Sequence, residues 1–377
     1  MGTLLILIAS LLTLLSSSIG DPGGPGCNRC HPDDYNALMK IYNSLNRPYI
    51  LASWHPNGNC SSWKGIAGEF NGPVPIPAAI SNLPYLTSLT LRKLSNLTGP
   101  LPPSLANLTR LQRLRLDYNN LTGPIPSSLG RLASLNSIDL SHNQFTGQIP
   151  SSLSNLSNLR DLHLDHNNLS GQIPESFGEF AVSPMYLYLS HNQLSGAVPA
   201  ALGKVDFARI DLSRNRLVGD SRVLFGGGKS TDTLDISRNY ELEFDLSNVA
   251  FSKKLVSLDI NHNKIYGRLP TKMSEIESLQ FLNVSYNKLC GEIPGFRHGF
   301  DSSSFVHNKC LCGPPLPTNC DSTLREPQKL SSKLAQELSQ GFGKGNRDPQ
   351  RVDSNVFQNL MGQVAELLNI LRAQVAA

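Results

Sequence analysis

Two rows of titratable side chains recur through this 377-residue chain and raise the first question of chemistry. Asp139, Asp211, Asp235 and Asp259 share one repeated position, and Asp117 and Asp165 stand two residues further along their own segments. His142, His166, His191 and His262 share another. Paired carboxylates could hydrolyse a glycoside, one as acid and the other as base or nucleophile. A histidine row could hold a metal. Both chemistries need groups that converge, whereas a position recurring at a fixed interval gives a flat row. No catalytic residue, metal or other cofactor is therefore expected. The aspartate row suits the steering of a basic partner, and the histidine row would titrate across the mildly acidic range.

The elements that must position these rows follow from the spacing. An apolar series at Leu91, Leu116, Leu140, Leu164, Leu189, Leu212, Ile236, Ile260 and Val284 advances in steps of 23 to 25 residues. Asparagines keep the same beat from Asn119 to Asn287, and glycines from Gly99 to Gly291. A unit such as Leu111–Asn119 starts as a short strand whose leucines face one way and whose intervening residues face the other. One coil cannot bury its leucines alone, but stacked coils share a continuous core. Each Asn would turn inward and bond the backbone of the turn. The glycine series fails once, at Glu243, where the coil should turn differently.

The expected fold is an α/β repeat, a right-handed leucine-rich-repeat solenoid with a parallel sheet on its concave face, about ten repeats and disulfide-stabilised caps. Residues between the leucines would form the partner-binding surface. The predicted set is Arg113, Arg115, Asp117, Asp139, Asp165, Tyr186, Tyr188, Ser190, Asp211, Asp232, Asp235, Asp259 and His262.

The ends carry different signals. An apolar run from Leu4 to Leu15 followed by small residues reads as a signal peptide over 1–20, too short to span a bilayer. Residues 21–69 read as the N-terminal cap, 70–294 as the repeats, 295–320 as a cysteine-bearing C-terminal cap, and 321–377 as a linker with an amphipathic helical tail. All seven cysteines avoid the repeats. The four late ones allow three pairings; Cys290–Cys310 and Cys312–Cys320 are favoured because Cys310 and Cys312 are too close to pair easily. Cys30–Cys60 is expected at the other end, leaving Cys27 unpaired. Sequons at Asn96, Asn107, Asn120, Asn155 and Asn168 would carry glycans away from the strand face.

Three stretches, Leu187–Gly196, Leu258–Gly267 and Leu282–Gly291, resemble the plant polygalacturonase-inhibiting proteins, as does the cap Cys310–Pro317. Pro48–Trp54 fits the same likeness, which spans about Cys30 to Cys320. The resemblance implies a secreted cell-wall protein of plant defence whose concave sheet covers a microbial or insect endopolygalacturonase. It also implies that exposed strand residues set the target, with Asp139, Asp165 and Asp211 matching family aspartates and Asp232 and Asp235 at variable positions. The N-terminal cap departs from the family in lacking a second cysteine pair, since Ser61–Lys64 follows Cys60. A formal net charge of +4 fits loose retention on pectin, and no nucleic-acid partner or transmembrane segment is expected. The alternatives are a receptor-like ectodomain that binds a peptide or co-receptor and, further off, an ice-binding protein.

Overall fold

The computed structural model describes residues 75–320, apart from Pro77 and Pro184. The expected signal peptide, the N-terminal cap with Cys27, Cys30 and Cys60, and the helical tail lie outside the described residues. The chain divides into a unit of residues 1–316 and a second of residues 317–377.

Among the described residues of the first unit, nine short strands pair in parallel, each with the next of the series, from Ser88–Thr90 through Arg113–Arg115, Ser137–Asp139, Asp161–His163, Met185–Tyr188, Phe207–Asp211, Thr233–Asp235 and Ser257–Asp259 to Phe281–Asn283. Their inward residues, Leu89, Leu114, Ile138, Leu162, Leu187, Ile210, Leu234, Leu258 and Leu282, lie in register and are buried. Alternation along each strand thus divides one apolar edge from two outward positions. This is the solenoid sheet that the leucine period requires.

A second parallel sheet was not legible in the repeat pattern. Seven strands, from Thr98–Gly99 to Glu241–Leu242, form it, and Tyr266–Gly267, Lys288–Glu292 and Cys310–Cys312 make a separate three-stranded one. The break falls at the coil where Glu243 replaces glycine. There Asp245 and Tyr266 make only an isolated bridge. After the second-sheet strands, prolines such as Pro126, Pro150 and Pro174 set φ at −62° to −66° and start five-residue 3₁₀ helices, Ser127–Arg131, Ser151–Asn155 and Glu175–Glu179. Each helix drops one apolar residue, Leu129, Leu153 or Phe177, into the core.

The asparagine series acts as expected. Asn143 Nδ2 donates to Leu116 O at 2.8 Å and Leu140 O at 3.1 Å, while its Oδ1 accepts from Leu121 N at 3.1 Å. One amide thus joins successive coils and satisfies buried main-chain groups. The ladder runs one step past the last repeat read from sequence. Asn308 Nδ2 donates to Val284 O and Phe305 O, and Oδ1 accepts from Leu289 N. The C-terminal cap therefore opens as a partial coil without a first-sheet strand. Cys290 faces Cys310 across the ladder and is bonded to it, as expected. Cys312 and Cys320 are each disulfide-bonded.

Candidate functional site

The outward strand positions make two rows across the nine-stranded sheet. The first runs Ser88, Arg113, Ser137, Asp161, Tyr186, Arg209, Thr233, Ser257 and Phe281; the second runs Thr90, Arg115, Asp139, His163, Tyr188, Asp211, Asp235, Asp259 and Asn283. Strand spacing fixes each residue beside its row neighbours. His163 stacks on Tyr188 with ring centroids 4.4 Å apart, and Arg209 Nε lies 3.1 Å from Asp232 Oδ1. Phe281 is 49% exposed and supplies the apolar end of the face.

Two predicted partner-binding residues do not reach the surface. Asp117 is 1% and Ser190 3% exposed. Both occupy the position after the second inward leucine, where the chain bends beneath the sheet edge. Ser141, Ser213, Ser237 and Ser285 fill the same position and are also buried. Asp117 is held there by Arg92 Nε at 2.7 Å and Arg115 Nε at 3.0 Å. Burial works against its charge, but the two guanidiniums prevail and hold its carboxyl below the usual range. Arg115 also reaches Asp139 Oδ2 at 3.3 Å. The aspartate row is therefore not one acidic stripe. Asp139 has an arginine beside it, whereas Asp211, Asp235 and Asp259 follow one another on three adjacent strands.

In that run, burial first and the charge of Asp211 second push the Asp235 carboxyl up to about 6. Burial, with Asp235 adding to it, pushes Asp259 up to about 7. Each accepts a hydrogen bond from the backbone two residues on, Ser237 N to Asp235 Oδ1 at 2.9 Å and Asn261 N to Asp259 Oδ1 at 3.0 Å. These bonds fix the carboxylates in place but only partly offset desolvation.

Beside the sheet runs a rim that periodicity showed only as a histidine row. The residue before each ladder asparagine has left-handed backbone, with φ from 52° to 57° at Tyr118, His142, His166, His191, Arg214, Arg238, His262, Tyr286 and His307, and Lys93, which precedes Leu94, shares it. Identical backbone on successive coils places their side chains in line. Tyr118, His142, His166 and His191 form a continuous stack with centroids 3.9 to 4.0 Å apart. His262, Tyr286 and His307 form a second stack at 4.1 Å. Burial lowers the pKa of His142, His191 and His262, so these rings stay neutral further into the acid range than a free imidazole. The signal that could have found the tyrosines was their place before Asn119 and Asn287.

Of the sequons, Asn107, Asn120, Asn155 and Asn168 are exposed and Asn96 is half-buried. None lies on the nine-stranded sheet. Among the described residues no helix is long and apolar enough to cross a membrane.

Stacked parallel coils with an inward asparagine ladder define a leucine-rich-repeat protein. Family profiles agree: Leucine rich repeat matches residues 109–169, a second Leucine Rich Repeat profile matches 184–205 and 278–298, and Leucine rich repeat N-terminal domain matches 31–67. The chain is 57% identical over 324 residues to a polygalacturonase inhibitor of Pyrus communis, covering 81% of this chain and 96% of that protein. It is 54% identical over 334 residues to polygalacturonase inhibitor 2 of Arabidopsis thaliana, covering 84% and 98%. It belongs to the polygalacturonase-inhibitor family. Among solved structures, a plant ice-binding protein matches with a TM-score of 0.70 and 40% identity, covering 78% of this chain and 99% of that one. The ectodomain of a membrane receptor kinase from Arabidopsis thaliana matches at 0.55 and 32%, covering 66% and 32%.

Proposed function

We propose that this protein inhibits a secreted endopolygalacturonase by laying its nine-stranded face over the enzyme's cleft, in defence of the plant cell wall. The observation that carries the reading is the 57% identity to a polygalacturonase inhibitor across 96% of that relative's length. The face suits the task. It offers ionisable residues at Arg113, Arg115, Asp139, Asp211, Asp232, Asp235 and Asp259, aromatic anchors at Tyr186, Tyr188 and Phe281, and Asp165 and His262 at the rim. Aromatic and arginine side chains are the groups that dominate protein interfaces. Asp117 and Ser190 leave the contact set because they are buried. Secretion into the wall rests on the apolar N-terminal run, and weak retention on pectin on the net charge of +4.

The test is residual hydrolysis of polygalacturonic acid by a panel of fungal and insect endopolygalacturonases mixed with the purified protein. We expect inhibition of at least one enzyme. Charge reversal at Asp211 should weaken it by roughly tenfold or more and flatten its salt dependence. No inhibition across the panel would overturn the proposal. The ice-binding neighbour supplies a second reading, but an ice face calls for a regular array of like residues, and here Arg, Asp, His and Tyr alternate. Absence of thermal hysteresis is the expected result.

A further inference from the structure

In the chain, His142 and His166 belong to one row and Asp165 to another. Coil stacking brings the three together at the rim of the sheet. We propose that His142, Asp165 and His166 bind a single divalent transition-metal ion of the Cu(II) or Zn(II) class.

Each residue offers one ligand atom, and the three atoms lie within 4.8 Å of one another. Asp165 Oδ2 is 3.0 Å from His166 Nδ1 and 4.0 Å from His142 Nε2. Bonds of about 2.0–2.2 Å to a common ion place neighbouring ligand atoms about 3.0–3.5 Å apart. One edge of the ligand triangle already has that length. The others need side-chain movement of about 1 Å, which half-exposed imidazoles can supply.

The main chain holds the ligands in place meanwhile. His142 N donates to Asp165 O at 3.0 Å, so the two coils are tied at the site itself. His142 and His166 share the same left-handed backbone, both with φ of 53°. Charge favours the site as well. Asp117 and Asp139 have arginines beside them, whereas among the described residues the ion-pair partners of Asp165 are the imidazoles of His142 and His166 alone. Its carboxylate is thus available to a cation. Two imidazoles and one carboxylate match borderline divalent ions and not hard ones such as Ca²⁺ or Mg²⁺.

The stack of His142 on His166, with planes 19° apart, sets the energetic competition. Nitrogen lone pairs lie in the ring planes, so both rings can point at one ion only by fanning apart. Binding therefore exchanges ring stacking for coordination, and the remaining coordination positions open to solvent.

The experiment is titration of the full chain with Cu(II) alone near neutral pH in a non-chelating buffer, followed by calorimetry and electron paramagnetic resonance. We expect one dominant site per chain with nitrogen ligation. His142→Asn, His166→Asn and Asp165→Asn should each weaken it at least about tenfold, and His262→Asn should leave it unchanged. Asn is chosen because it tolerates left-handed backbone, and circular dichroism with thermal melting confirms that each variant folds. Absence of a stoichiometric site would overturn the proposal. So would tight binding that survives both His142→Asn and His166→Asn, which would place the ion elsewhere in the chain.

Discussion

Asp259 stands in a row of three carboxylates, and its raised pKa ties stability to pH. A carboxyl whose folded pKa exceeds its unfolded value binds more protons when folded. Its effect is neutral once both states are protonated, below about pH 3, and it destabilises the fold as pH rises towards 7. Asp259→Asn keeps an oxygen for Asn261 N and removes the charge. The variant should melt with the parent at pH 3 and exceed its stability by on the order of 1–2 kcal/mol at pH 8, after allowance for solvent screening. Thermal melts across that range check the sign; a gap that closes with rising pH would refute it. Asp117 works in the opposite sense, because two arginines depend on it. Asp117→Ala should destabilise by about 1–3 kcal/mol and release Arg115, seen as a lower denaturant midpoint at unchanged slope.

At the scale of the element, a regular coil is closed by one amide and one glycine. Asn167 Nδ2 donates to Leu140 O and Leu164 O, both at 3.0 Å, and its Oδ1 accepts from Phe145 N at 3.0 Å. Asn167→Ala would take the side-chain acceptor from the buried Phe145 N and leave Leu140 O and Leu164 O with one amide donor each, from Asn143 and Asn192, and a loss of about 1–3 kcal/mol is expected in equilibrium unfolding. Gly147 has φ of +78°, and an added Cβ would meet only Pro124 Cβ, at 3.8 Å. Gly147→Ala should therefore cost about 1–2 kcal/mol through backbone strain alone, without a clash. Comparison of the two variants separates lost hydrogen bonds from lost conformational freedom.

For the described repeats as a whole, stability passes from coil to coil because each contacts its neighbours. The Cys290–Cys310 disulfide closes the end of this array across a sequence separation of 20 residues. Opening it with Cys290→Ser removes a constraint worth about 3 kcal/mol in the chain-entropy picture. Loss of protection should be local at first. Hydrogen exchange should accelerate in the strands Phe281–Asn283 and Lys288–Glu292 before it does in Ser137–Asp139. Uniform acceleration would mean that the array unfolds as one block.

The 24-residue beat by itself determined the first sheet, the buried leucines, the asparagine ladder and the odd coil at Glu243, because a side chain's inward or outward sense along a strand follows from spacing alone. The spacing of the late cysteines favoured the Cys290–Cys310 pair, because Cys310 and Cys312 are too close to bond each other. Only the tertiary structure decided which neighbours meet across coils. Asp117 and Ser190 look like strand-face residues until the chain bends under the sheet edge. Asp139 and Asp259 hold the same repeat position, yet one has Arg115 beside it and the other has Asp235. His142 and Asp165 belong to different rows and meet only when one coil stacks on the next. Repeat position is a property of one coil, whereas charge, burial and ligand geometry depend on the residues that the adjoining coils supply.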